Sequence, residues 1–171
     1  MATHNTDEGA SAKELLLEAA RRDNTELLTE VLEHHHTPEF LNNSTDALGN
    51  TALHVAAQYG AYDVMDELLD QEGLEVDPRN RMEGNTPLHK AVYFAKGEKQ
   101  LGLEIVKLLT EAGADPRVRN KQKQRPIDIS DPRDTELRQV LQSAEYMMSM
   151  GNDLVPEEDT DDGPRSGSES S

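Results

Sequence analysis

The chain has 171 residues and a formal net charge of -17, so as a body it repels nucleic acid and anionic membranes and suits basic partners. It has no cysteine, which excludes a disulfide frame, a thiolate nucleophile and a Cys-type zinc site. Tryptophan is absent and Phe and Tyr together number six, so the core must rest on Leu, Ala, Val and Ile, as stacked helices allow.

Residues 1–10 are expected to form a disordered lead-in to a domain at 11–150. Ser11 followed by Glu14 is a capping-box pattern at the head of Leu15-Leu16-Leu17-Glu18-Ala19-Ala20. Asn24 or Thr25 caps a second helix, in which Leu27, Leu28, Val31 and Leu32 recur at helical spacing. Glu30 and Glu33 give this first pair a polar outer face, as the end unit of a stack requires. His34-His35-His36 closes the helix, where the dipole favours cationic imidazole. Three adjacent helical residues cannot all face one ion, so no metal site is expected there.

A phrase then occurs twice. Gly49-Asn50-Thr51-Ala52-Leu53-His54 returns as Gly84-Asn85-Thr86-Pro87-Leu88-His89, with Thr51 and Thr86 35 residues apart. In each copy Thr is an N-cap and His, three residues on, can reach back to it. Ala56 and Ala57 are small enough for close helix approach, and Gly60 ends the helix. The partner helix carries Val64, Met65, Leu68 and Leu69. The second copy repeats this with Pro87 at the first helical position, and its partner helix carries Ile105-Val106-Lys107-Leu108-Leu109. Between Phe94 and Ile105 it has six residues more than its predecessor, expected in a surface loop.

A fourth, degenerate unit has Arg125-Pro126-Ile127-Asp128-Ile129 where the phrase would stand. Its last helix is expected at Thr135 to Met148, with Leu137, Val140, Leu141 and Ala144 inward. Residues 151–171 hold seven Asp or Glu, one Arg and little to bury, which predicts a disordered acidic tail.

The doubled phrase, its 35-residue spacing and Glu104-Ile105-Val106-Lys107-Leu108-Leu109-Thr110-Glu111-Ala112-Gly113-Ala114-Asp115 resemble the ankyrin-repeat family across roughly Ala12 to Met150. The resemblance implies an all-α solenoid of about four repeats, two strong and two degenerate. It implies β-turn fingers between helix pairs and a concave face that binds other proteins. Size, acidity and tail also resemble small acidic fungal ankyrin-repeat proteins, one of which is a chaperone for a ribosomal protein.

The residues point to binding, not catalysis. No phosphate-loop, nucleophile-elbow or zinc-protease motif is present, so neither enzymatic activity nor a cofactor is expected. His54 and His89 occupy the same cap position in successive units and are read as turn supports, not metal ligands. The family's ligand-facing slots fall on Arg21 and Arg22, on Gln58 and Tyr59, and on Tyr93 and Phe94. Three of the chain's six Phe and Tyr residues stand there, and aromatics are common interface anchors. Met82, Glu83 and Asn85 on the neighbouring finger extend that surface.

Arg117, Arg119, Lys121, Lys123 and Arg125 fall at every second position, and Arg79 and Arg81 precede them on the earlier finger. An extended backbone would set the five on one side. Such a stripe either receives an acidic segment or phosphate groups, or answers the chain's own carboxylates.

The expected partner is a basic protein, with the chain a monomer in the cytoplasm or nucleus. An escort or chaperone for a ribosomal or nucleic-acid-binding protein is the concrete form. The alternative is a regulatory or scaffold subunit that takes an acidic or folded partner on its basic fingers. Direct nucleic-acid binding is not expected. No apolar run approaches the roughly 20 residues of a membrane span, and Met1 to Gly9 lacks the apolar centre of a signal peptide.

Overall fold

A computed structural model describes residues 10–154. The lead-in expected at 1–10 and the tail expected at 151–171 lie outside that range, except for Ala10 and for residues 151–154, which are helical. Among the described residues there are nine helices and no strand. Four pairs run in chain order: α1 (Ala12–Arg22) with α2 (Thr25–His34), α4 (Ala52–Tyr59) with α5 (Tyr62–Leu69), α6 (Pro87–Ala95) with α7 (Lys99–Glu111), and α8 (Pro126–Ile129) with α9 (Thr135–Leu154). A short α3 (Pro38–Asn43) lies between the first two pairs.

The first helix of each pair packs on the first helix of the next, α1 on α4 on α6 on α8. The second helices α2, α5, α7 and α9 form a parallel row behind them. Alanines permit this close stacking: Ala19, Ala20, Ala56, Ala57 and Ala91 have no exposed surface. Leu16, Leu28, Val64, Leu68, Leu88, Ile105, Leu109, Leu137 and Leu141 fill the space between the two rows. The result is one continuous apolar cluster that no single pair could build.

The helix starts follow from local chemistry. Ser11 and Glu14 exchange both capping-box bonds at 3.2 Å. The Asn24 side chain accepts from Leu27 N at 3.0 Å, which decides between the two candidate caps. Thr37 caps α3, and Pro38 sits at its first position. That Thr-Pro start was visible in the sequence, but the helix it opens is too short to carry a period. Helix α5 has no cap of its own. Asp23, at the end of α1 in the preceding unit, supplies its carboxylate to Val64 N at 2.8 Å. A cap borrowed across 41 residues leaves no local trace in the sequence.

Two expectations are corrected. The extra residues of the third unit do not form a loop. Lys99 to Glu104 open α7, and only Lys96 to Glu98 connect it to α6. Gly102 allows this: a Cβ there would stand 2.4 Å from Ala95, so only glycine lets α7 cross α6 so closely. Helix α9 also continues past Met148 to Leu154.

Gly60 closes α4 at φ +70, and the Phe94 ring of the next unit lies over it. A Cβ on Gly60 would meet that ring at 2.3 Å. Gly60→Ala is therefore expected to destabilise by about 1–2 kcal/mol from the left-handed backbone, and by more through displacement of Phe94. Gly97→Ala, with nothing within 4 Å, should stay within about 0.5 kcal/mol of wild type. Urea melts of the two variants check the pair, and a loss of only about 1–2 kcal/mol for Gly60→Ala would show that the Phe94 contact adds nothing.

Candidate partner-binding site

Three fingers project between the helix pairs, and each is built on an Asx-type turn. The side chain of the opening residue accepts from the backbone N–H of the closing residue. Asp46 accepts from Asn50 N at 2.9 Å, Asn80 from Asn85 N at 2.9 Å and Asn120 from Gln124 N at 3.0 Å. The openers also join the fingers to one another. Asn80 Nδ2 donates to Asn50 Oδ1 and Asn120 Nδ2 to Asn85 Oδ1, both at 2.9 Å. Main-chain bonds Met82 N to Leu48 O and Lys121 N to Glu83 O run alongside. These bonds fix the register of one finger against the next.

The repeated histidines complete the lattice. His54 Nε2 lies 2.8 Å from the Asn85 carbonyl, and His89 Nε2 lies 2.8 Å from the Gln124 carbonyl. A carbonyl only accepts, so Nε2 carries the proton and Nδ1 is the acceptor for Thr51 N and Thr86 N. Each imidazole thus caps its own helix and holds the following finger. Burial pushes His54 down to about 4, with nearby Lys90 adding to the effect. Burial lowers His89 as well. A proton added at Nδ1 would confront the Thr N–H donor. Both rings therefore serve as neutral structural posts.

Against this frame the eleven candidate contact residues separate. Met82, Glu83, Asn85, Tyr93 and Lys121 line one recess of about 330 Å³, joined by Asn120 and Gln122. Met82 is 61% exposed and Tyr93 43% exposed, so their apolar surfaces are available. Glu83 keeps half its side chain in solvent, but its Oε1 already takes donors from Asn80, Asn85 and Lys90. The Asn80 amide and the Lys90 ammonium hold its carboxyl below the usual carboxylate range.

Asn85 is 2% exposed, and its amide belongs to the ladder. Gln58 and Tyr59 are exposed on α4 but do not line the recess. Phe94 is half-buried, with its ring over Gly60 of the preceding unit, and so joins two units.

The basic stripe is also rearranged. Residues 117–125 do not run as an extended strand. Asn120 N bonds to Gln124 O, and Lys123 adopts φ +67 where the preceding finger has Gly84 at φ +72. The chain folds back at this point, so alternation along the sequence does not place the five cations on one side. Arg117 forks onto Asp115 at 2.9 and 3.0 Å. Arg125 pairs with Asp128 at 3.1 Å and Glu145 at 3.0 Å. Arg119 donates to the Lys123 carbonyl, Lys121 Nζ to the Arg81 carbonyl and Arg81 to the Ala47 carbonyl. Among the described residues these last three, together with Lys123, have no carboxylate at ion-pair distance.

Asn120 and Gln122 escaped the sequence reading. The recurrence of Asp46, Asn80 and Asn120 four or five residues before Asn50, Asn85 and Gln124 was the available signal. A wider apolar groove of about 850 Å³ lies between α7 and α9, lined by Val140, Ala144, Met147 and Met148. Among the described residues no helix is long and apolar enough to cross a membrane.

The family model for ankyrin repeats (three copies) matches residues 16–120, ending before the degenerate fourth pair. An ankyrin repeat-containing protein of Saccharomyces cerevisiae is 44% identical over 169 residues, which covers 92% of this chain and 93% of the yeast protein. Alpha-latrocrustotoxin-Lt1a of Latrodectus tredecimguttatus is 34% identical over 82 residues, 48% of this chain but only 5% of the toxin. The crystal structure of an ankyrin repeat protein superposes with a TM-score of 0.64 at 32% identity, covering 74% of this chain and 62% of that one. Repeat spacing, paired helices, His-capped turns and these matches agree: the chain belongs to the ankyrin-repeat family.

Proposed function

We propose that this protein is a non-catalytic binding subunit whose contact surface is the recess between the last two fingers, and that its client is a basic protein it escorts in the cytoplasm or nucleus. Ankyrin repeats mark a protein–protein interaction module. The observation that carries the site is the meeting of Met82 and Tyr93, two large exposed apolar side chains, in one recess of fixed shape. Such side chains over a rigid frame are what an interface anchor needs. The basic client rests on the net charge of -17, which speeds encounter with a cationic protein.

A second reading has its own support. Arg81, Arg119, Lys121 and Lys123 lack carboxylate partners among the described residues, and Lys121 lines the same recess. They suit a regulatory or scaffold subunit with an acidic partner. Affinity purification of wild type and a Met82→Ala, Tyr93→Ala variant tests the site. Buried anchors commonly carry about 2 kcal/mol each, so the main partner should be lost by more than about a hundredfold in affinity. Unchanged recovery by a folded variant would place the contact elsewhere. Arg119→Glu with Lys121→Glu then separates the two clients. A basic one holds or tightens, whereas an acidic one is released.

A further inference from the structure

We propose that Thr37 is the phosphoacceptor of this chain for a proline-directed protein kinase, with ATP as the phosphoryl donor. Thr or Ser stands before Pro at two places in the sequence, Thr37-Pro38 and Thr86-Pro87. The tertiary structure treats the two hydroxyls in opposite ways. Thr37 is exposed, as are its neighbours from His34 to Glu39. Thr86 has no exposed surface.

The hydrogen bonds of the two hydroxyls differ in the same sense. Thr37 Oγ1 accepts from Phe40 N at 3.1 Å, and among the described residues no acceptor takes its proton. Thr86 Oγ1 lies 2.8 Å from His89 Nδ1, the unprotonated nitrogen of that ring. His89 in turn holds the Gln124 carbonyl at 2.8 Å. A phosphate on Thr86 would break this histidine post inside the stack. On Thr37 it extends into solvent, and the oxygen bonded to Phe40 N remains an acceptor.

A kinase cleft takes its substrate as an extended segment with the acceptor hydroxyl projecting. Proline suits the following position because it has no N–H to leave unpaired there. His35 and His36 lie outside any helix, and Thr37 has φ -72 and ψ 150, the extended backbone favoured before Pro. Pro38 touches Gly73 yet stays exposed. Helix α3 has six residues, and two bonds hold its first turn to Thr37: Phe40 N to Oγ1, and Leu41 N to the carbonyl at 3.0 Å. A turn held so lightly opens locally while the helix pairs stay closed. Thr86 is extended too, at φ -90 and ψ 169, so burial and not backbone shape separates the two sites.

In the transfer the Thr37 O–H bond breaks and a bond forms between Oγ1 and the γ-phosphorus of ATP. ADP leaves with the electron pair of the broken phosphoanhydride, and the hydroxyl proton passes to a base of the kinase. The phosphate adds a charge of about -1.5 to -2 directly after His34, His35 and His36. His35 is stacked on Phe40, with ring centroids 5.1 Å apart, which keeps an imidazole on the same turn as a donor for it. The charge falls at the joint between the first two units. There Asn42 of α3 donates to Gly73 O and accepts from Glu75 N, both at 2.9 Å. None of the residues that line the Met82–Tyr93 recess takes part, so the site stands whether or not that recess binds a client.

Incubation of the full chain with a purified mitogen-activated or cyclin-dependent kinase and ATP, followed by tandem mass spectrometry, tests this. Phosphate is expected on Thr37. Thr86 should be modified at least about a hundredfold more slowly, because its hydroxyl is reached only when the repeat joint opens. Thr37→Ser should retain the modification and Thr37→Ala should abolish it. Pro38→Ala, folded by circular dichroism, leaves the hydroxyl in place and should lose most of it. Absence of phosphate on Thr37 overturns the proposal. So do equal rates at Thr37 and Thr86, or unchanged modification of Pro38→Ala.

Discussion

Truncation of Leu88 to Ala is expected to destabilise the protein by about 2–5 kcal/mol in urea melts. Leu88 has no exposed surface, and its helix α6 is packed between α4 and α8. Its side chain therefore joins three repeats, and the cavity left behind cannot close without moving helices on both sides. Leu109→Ala should fall in the same range, since Leu109 is equally buried where α7 backs onto α6. Leu108, which the helical period also marks as inward, is only half-buried and should cost less. The buried residues form one cluster across all four pairs, so each variant should still melt in a single transition. A change in stability within about 0.5 kcal/mol for Leu88→Ala would mean that the repeat register is wrong.

Asp77→Asn is expected to stabilise the protein at pH 7 and to steepen its loss of stability in acid. Burial pushes the Asp77 carboxyl up to about 6, the Asp115 carboxylate adds to this, and the hydrogen bond from Asp115 N opposes it. The folded state therefore holds this proton more tightly than the unfolded chain does. Its contribution is present below the unfolded value of 3.8 and is lost as the pH rises through about 6. At pH 7 the ionised carboxylate is a net cost, which Asn removes. Two pKa units correspond to about 3 kcal/mol, and screening at this half-exposed site reduces the expected gain to about 1–2 kcal/mol.

His54 runs the other way. Its folded value of about 4 lies below the unfolded 6.5, so its stability is present above pH 6.5 and is lost as the pH falls through 4. That loss amounts to about 3 kcal/mol. In wild type, Asp77 offsets part of it between pH 6 and pH 4. In Asp77→Asn nothing at that position does. Urea melts at pH 7, 5.5 and 4.5 read both effects. A variant less stable than wild type at pH 7 would show that accepting from Asp115 N outweighs the cost of the buried charge.

The repeat architecture was legible because its signals are local. Thr51 with His54, and Thr86 with His89, announce helix starts within a span of four residues. Gly60 announces an end, and the Leu, Val and Ala period assigns an inner face. Less was legible where a residue's surroundings depend on a distant partner. Asn85 sits on a finger and reads as surface, yet its amide and carbonyl hold Asn120 and His54. Phe94 occupies a ligand-facing slot, but the bare Gly60 of the previous unit gives its ring a seat. The alternating cations read as a stripe only on an extended backbone, and Lys123 turns that backbone through φ +67.

The sequence by itself determined the family, the helix pairs and the cap role of the two histidines, because capping and periodicity act over three or four residues. Tertiary structure alone decided which candidate residues meet. Met82, Tyr93 and Lys121 share a recess only because the asparagine ladder and His54 and His89 set the register of each finger on the next, through bonds that join residues 30 to 35 apart. The fold also separates the cations of the fingers among the described residues. Arg117 and Arg125 found Asp115, Asp128 and Glu145, while Arg81, Arg119, Lys121 and Lys123 were left to main-chain carbonyls and solvent.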